Sequence, residues 1–157
     1  MNNDEFITEG LKHYPEAMRA VIYFEDSVLE IIQKSLQRIL SERPSNDYWK
    51  CQEKPVKERS RSASDPYMGC TAKGKMNTSD SAVLECGIWW VRSGCLVYAG
   101  FRSGPEWARQ ELQPRKGSII RTEEGASVYF AMDLKTAKEI EPKLKQVITE
   151  LLSVAKR

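Results

Sequence analysis

Asp80 and Glu85 are the two carboxylates whose placement comes nearest to a reaction centre. Metal-dependent nucleases often set an Asp on one strand and a Glu-x-Lys on the next, so that the carboxylates share a divalent ion. Here Glu85 is followed by Cys86-Gly87, and the lysine is missing. Nucleophilic catalysis by Ser or Cys usually needs a base such as histidine. The single histidine, His13, stands at a helix-start junction, where it reads as a surface or capping residue. The chain has no HExxH, no phosphate-binding loop, no GxGxxG and no GxSxG. Cys51, Cys70, Cys86 and Cys95 form no CxxC pair and lie far from His13 in sequence. Cys86 and Cys95 read as small apolar strand residues. No catalytic residue, metal or cofactor is expected, and the balance leans away from an enzyme.

Binding chemistry is better represented. The runs 82–92 and 95–102 flank Ser93-Gly94 and predict a tight β-hairpin. A turn made of those two residues sets Trp89 opposite Tyr98, Gly87 opposite Gly100 and Glu85 opposite Arg102. One face is then apolar throughout (Cys86, Ile88, Trp90, Val97, Ala99, Phe101) and belongs to the core. On the other face two facing glycines would leave a dent, with Trp89 and Tyr98 on one side and Glu85 and Arg102 on the other. An aromatic wall and a charged wall resemble the anchor and rim of a protein-binding site. The candidate protein-binding residues are Glu85, Trp89, Val91, Leu96, Tyr98 and Arg102.

A second candidate is electrostatic. Net charge is only +2, but it is unevenly spread. Residues 1–31 carry Asp4, Glu5, Glu9, Glu16, Glu25, Asp26 and Glu30 against Lys12 and Arg19. The middle of the chain is basic. There Lys54, Lys57, Arg59, Arg61, Lys73 and Lys75 could contact phosphates, with Tyr67 or Trp49 available for base stacking. Glu53, Glu58 and Asp65 dilute the cluster, which also fits a solvated loop.

The elements that must position these residues follow from periodicity. Pro15 suits a first helical position, and Glu16 to about Arg43 has no Gly or Pro. Val21, Phe24, Val28, Ile31, Ile32, Leu36, Ile39 and Leu40 recur at spacings of three and four, which predicts one apolar stripe packed on the core. A shorter helix over residues 4–12 is expected before a break near His13–Pro15. The main helix would be about 40 Å long, longer than a typical strand, so its ends are expected to project. Strands are expected at 47–51 and 67–75, a turn at 77–80, a short helix started by Ser103-Gly104-Pro105 and running through Trp107 to about Leu112, and a second hairpin of 117–121 with 126–132. Asp133 is positioned to cap a final helix that passes Pro142 and ends near Ala155.

The fold expected is α+β: a mostly antiparallel sheet with an N-terminal and a C-terminal helix packed on one face, in two layers. The 157 residues suit a single domain, with a mobile basic loop at about 53–66. No apolar run reaches the roughly 20 residues of a membrane span, and the acidic N-terminus lacks the form of a signal peptide. A cytoplasmic location follows as the expectation. The function expected is a non-enzymatic protein-binding module, a small accessory, assembly or toxin-neutralising (immunity-type) protein, whose partner is another protein or a second copy of itself. Nucleic-acid binding through 50–75, or a divergent nuclease using Asp80 and Glu85, is the alternative. No membrane partner is expected.

Overall fold

The computed structural model describes residues 2–43, 48–58, 66–75, 81–92, 94–103, 119–121 and 128–154. Helix α1 spans Asn3–Ser41. Strands follow as β1 Tyr48–Cys51, β2 Val56–Glu58, β3 Tyr67–Lys75, β4 Ser81–Val91, β5 Gly94–Ser103, β6 Ile119–Arg121 and β7 Val128–Leu134. A short 3-10 turn, Ala137–Glu139, leads into helix α2, Ile140–Val154.

Among the described residues the strands make one sheet in the order β1-β3-β4-β5-β7-β6, with β2 also on β3. Every pairing is antiparallel. Even-numbered positions on the central strands face the helices: Met68, Cys70 and Ala72 on β3, then Leu84, Cys86 and Ile88 on β4. Val97, Ala99 and Phe101 on β5 have the opposite parity because the antiparallel register pairs odd with even. Phe130 extends this floor on β7. Over it lie Val28, Ile32, Leu36 and Ile39 of α1, beside Leu144, Val147, Ile148 and Leu151 of α2. Both helices therefore occupy one sheet face, and the expected two-layer α+β fold is observed. Arg38–Glu141 (2.6 Å) and Lys145–Glu42 (3.0 Å) tie the helices together at their exposed rims.

Four sequence expectations change. First, α1 does not begin at Pro15. Asn2 caps it: its side chain accepts from the Glu5 N–H (2.9 Å), and the Glu5 carboxylate accepts from the Asn2 N–H (3.1 Å). One helix then runs unbroken through Pro15. Second, the hairpin register is offset by two residues. Gly94 opens β5 and pairs with Val91, so Gly87 faces Tyr98 and Glu85 faces Gly100. Gly94 has φ +149°, a conformation that favours glycine. A slip of two preserves parity, so the predicted core face stands while every outer-face neighbour changes. Third, Val56–Glu58 lie within the stretch read as a loop, yet they pair with β3. Fourth, Asp133 belongs to β7, and Thr136 precedes the 3-10 turn without a side-chain cap. Residues 59–65, 76–80, 104–118 and 122–127 lie outside the described residues, and with them the loop's Arg59 and Arg61, the turn at 77–80, the short helix expected to reach about Leu112 beyond Ser103, and the turn of the second hairpin at 122–125.

Candidate interaction surfaces

The outer sheet face gathers the predicted hairpin residues, though not as a dent. Gly69 of β3 and Gly87 of β4 are cross-strand partners. A Cβ on Gly69 would stand 2.8 Å from the Tyr98 hydroxyl and closer still to the Cys86 carbonyl. The hollow left by these glycines is thus filled from within the chain, by Tyr98. That residue is 3% exposed, and its hydroxyl donates to Oε1 of Glu85 (2.9 Å), itself 4% exposed. Arg102 reaches the other oxygen, Oε2, at 3.5 Å, with much of its guanidinium in solvent. Burial pushes the Glu85 carboxyl above its usual value, against the opposing pull of the Tyr98 hydroxyl and the Arg102 charge. Tyr98 is pushed up as well, by burial and by the carboxylate beside it.

Tyr67 and Tyr129 meet Tyr98 edge-on, with ring centroids 6.2 and 5.6 Å away. Trp89, Val91 and Leu96, at the far end of this face, are half-buried. The structure therefore brings the six predicted hairpin residues onto one face, with two of them, Glu85 and Tyr98, sealed inside it. Both carboxylate oxygens of Glu85 are engaged. Asp80, its proposed nuclease partner, lies outside the described residues. Among the described residues no cluster of three or more metal-ligating side chains occurs.

The opposite end of the same face is basic. Lys50 of β1 and Lys73 of β3 are direct cross-strand partners, and Tyr48 pairs with Lys75. These residues, with Lys54, line an open groove of about 900 Å³. A neighbouring groove of about 720 Å³ continues past Lys73 to Arg102. Like charges directly across a ladder cost stability, and Glu53 is the one acid among the described residues that lines this groove. Tyr48 is 67% exposed beside them. Of the basic residues of the 50–75 segment the structure thus unites Lys50, Lys54, Lys73 and Lys75. Lys57 lies on β2.

The third surface is a projecting end of α1, which the sequence predicts from helix length without naming the residues that form it. Buried positions on α1 begin at Glu25. The turns before it carry exposed Phe6, Ile7, Leu11, Tyr14, Val21, Ile22 and Phe24, with Leu11 at 78% and Tyr14 at 65%. Phe24 touches Trp90, ring centroids 6.3 Å apart, where the helix leaves the sheet. Residues 3–24 thus form an arm of roughly 33 Å at the usual helical rise. Its signal was legible as residues spaced by three and four, continued upstream through Met18, Tyr14, Leu11 and Ile7. Taking Pro15 as a helix start cut that pattern in two.

The cysteines are all free. Cys70 and Cys86 are cross-strand partners on the core face. Burial pushes the Cys70 thiol up to about 11, the Cys86 thiol well above its usual range, and those of Cys51 and Cys95 upward. Such thiols are poor nucleophiles. No helix among the described residues is long and apolar enough to cross a membrane. No family model matches the chain, and no curated protein or solved structure matches it.

Proposed function

We propose that this protein is a non-enzymatic protein-binding module of the accessory or assembly kind. The observation that carries the reading is the α1 arm: a helix with exposed Ile7, Leu11, Tyr14, Val21 and Ile22 on the side that, farther along, is the buried side of the same helix. Soluble domains rarely leave so large a contiguous apolar surface in water unless something docks there. A lone helix of this length containing Gly10 and Pro15 is also marginal in water. A bound protein offsets both costs. The test is capture of binding proteins by the tagged chain, compared with Leu11→Glu and Ile22→Glu. These variants should lose a stoichiometric partner while keeping the melting temperature of the body. Undiminished capture by both would dismiss the arm as the binding element. Trp89→Ala and Leu96→Ala probe the outer hairpin face in the same assay.

A second reading, nucleic-acid binding, is favoured by the pairing of Lys50 with Lys73 next to exposed Tyr48. Single strands are commonly held by such cations with an aromatic ring for stacking. Lys50→Glu with Lys73→Glu should abolish salt-sensitive binding of a labelled oligonucleotide. Binding that ignores both salt and charge reversal would end this reading.

A further inference from the structure

Resting on the protein-binding reading of the arm, the partner itself can be specified. On a helical projection at 100° per residue, Ile7, Leu11, Tyr14, Met18, Val21 and Ile22 fall within one narrow sector. Val28, Leu29, Ile32, Leu36, Ile39 and Leu40, which α1 buries against the sheet and α2, fall in that same sector. The arm therefore continues an interface that the body already uses. Glu5, Glu9, Lys12, Glu16 and Arg19 all project from the opposite side, so the seam carries no charge between Ile7 and Ile22. An uncharged, regularly spaced seam of about two heptads suits another helix bearing the same pattern.

We propose that residues 7–22 pair with residues 7–22 of a second copy of this chain, in antiparallel orientation. The orientation follows from the body. Beyond Glu25 the seam side of α1 is occupied by its own sheet and by α2. A parallel partner helix at the usual 8–10 Å spacing would run into that layer. An antiparallel partner ends there with its N-terminus and carries its own body to the far end of the pair. The arrangement is a closed two-fold dimer. Complete burial of the exposed seam residues would remove at most roughly 600 Å² on each chain, or about 1,200 Å² in all, the lower bound for a stable interface.

The experiment is sedimentation of the full chain over a dilution series. The expected result is a reversible pair with twice the 18.0 kDa chain mass. Leu11→Glu should weaken it by about 30-fold or more, as loss of a central anchor does, and Trp89→Glu on the outer sheet face should not. With Cys51 and Cys95 replaced by Ser, Ile7→Cys mixed with Ile22→Cys should cross-link under oxidation, and neither variant alone should. A chain that stays monomeric at every concentration overturns the proposal. If the monomer still captures a different protein through Leu11 and Ile22, the binding-module reading survives. Cross-linking of each cysteine variant to itself overturns the antiparallel arrangement. Dimers unaffected by Leu11→Glu and Ile22→Glu place the contact elsewhere. Flotation of a monomeric chain with lipid vesicles assigns the arm to a membrane surface and also overturns the proposal.

Discussion

The Tyr98 hydroxyl donates a 2.9 Å hydrogen bond to Oε1 of Glu85 inside a face that, by composition, faces away from the core. The bond exists because Gly87, and not Gly100, lies opposite Tyr98. With Gly69 one strand further, the backbone leaves room for an aromatic ring to lie flat across two strands. Tyr98→Phe strips the buried carboxylate of its nearest donor, leaving only the longer Arg102 contact. A lost hydrogen bond to a charged buried group costs about 1.5–3 kcal/mol. Urea unfolding of Tyr98→Phe should show that loss with an unchanged m-value, and a loss within error would show that Glu85 is satisfied by other means.

Glu85 also sets a pH dependence. Its folded-state pKa is raised, by burial above all. The folded protein thus holds this proton more tightly than the unfolded chain does. Its stabilising contribution is complete below the ordinary value of 4.5 and is lost as pH rises through the raised folded value. Glu85→Gln cannot titrate, yet it still offers Tyr98 an acceptor. The stability difference between the two proteins should therefore shift toward Glu85→Gln as pH rises from the acid side. A difference that stays flat with pH would mean that the carboxyl titrates alike in both states.

How much of this was legible in the sequence differs by element. β3 was readable at both ends because Met68, Cys70 and Ala72 alternate with polar or larger residues. The hairpin's core face was readable too, since parity survives an even slip. Its outer face was not, because Ser93-Gly94 looks like a turn and φ +149° at Gly94 lies within the strand instead. Pro15 misled in another way. Proline is accepted at a first turn and also, at a cost, in a helix interior, and local sequence does not distinguish the two. The cation pairing of Lys50 with Lys73 depends on a β1–β3 register that no periodicity encodes.

The glycines make a graded prediction. At Gly94 a Cβ would meet nothing within 4 Å, so Gly94→Ala costs only the strained φ, about 1 kcal/mol. At Gly87 a Cβ would come within 2.5 Å of the Gly69 Cα, and backbone cannot swing aside. Gly87→Ala should therefore destabilise far more than Gly94→Ala, by about 3 kcal/mol, the upper end of what overpacked sites usually cost. Equal melting temperatures for the two variants would contradict the Gly69–Gly87 contact.

The cysteines should react in an order set by burial. Cys86 is fully buried and Cys70 nearly so, while Cys51 and Cys95 are half-buried. Mass spectrometry after brief native alkylation should find label on Cys51 and Cys95 before Cys70 and Cys86. Early labelling of Cys86 would require the sheet to open beneath the helices more easily than its packing allows.

Pro15 provides the last test, because it separates the arm from the body. It has no N–H to give the Leu11 carbonyl, and an interior proline costs a helix about 3 kcal/mol. Buried packing on α1 starts at Glu25, ten residues further on. Pro15→Ala should therefore increase far-UV helicity and slow amide exchange over residues 3–24, while the core amides of β4 and β5 exchange as before. If the arm is the dimer seam, the same variant should tighten self-association, since less ordering is left to be done on pairing. Unchanged arm protection would mean that α1 is held through Pro15 by contacts stronger than its own helical bonds.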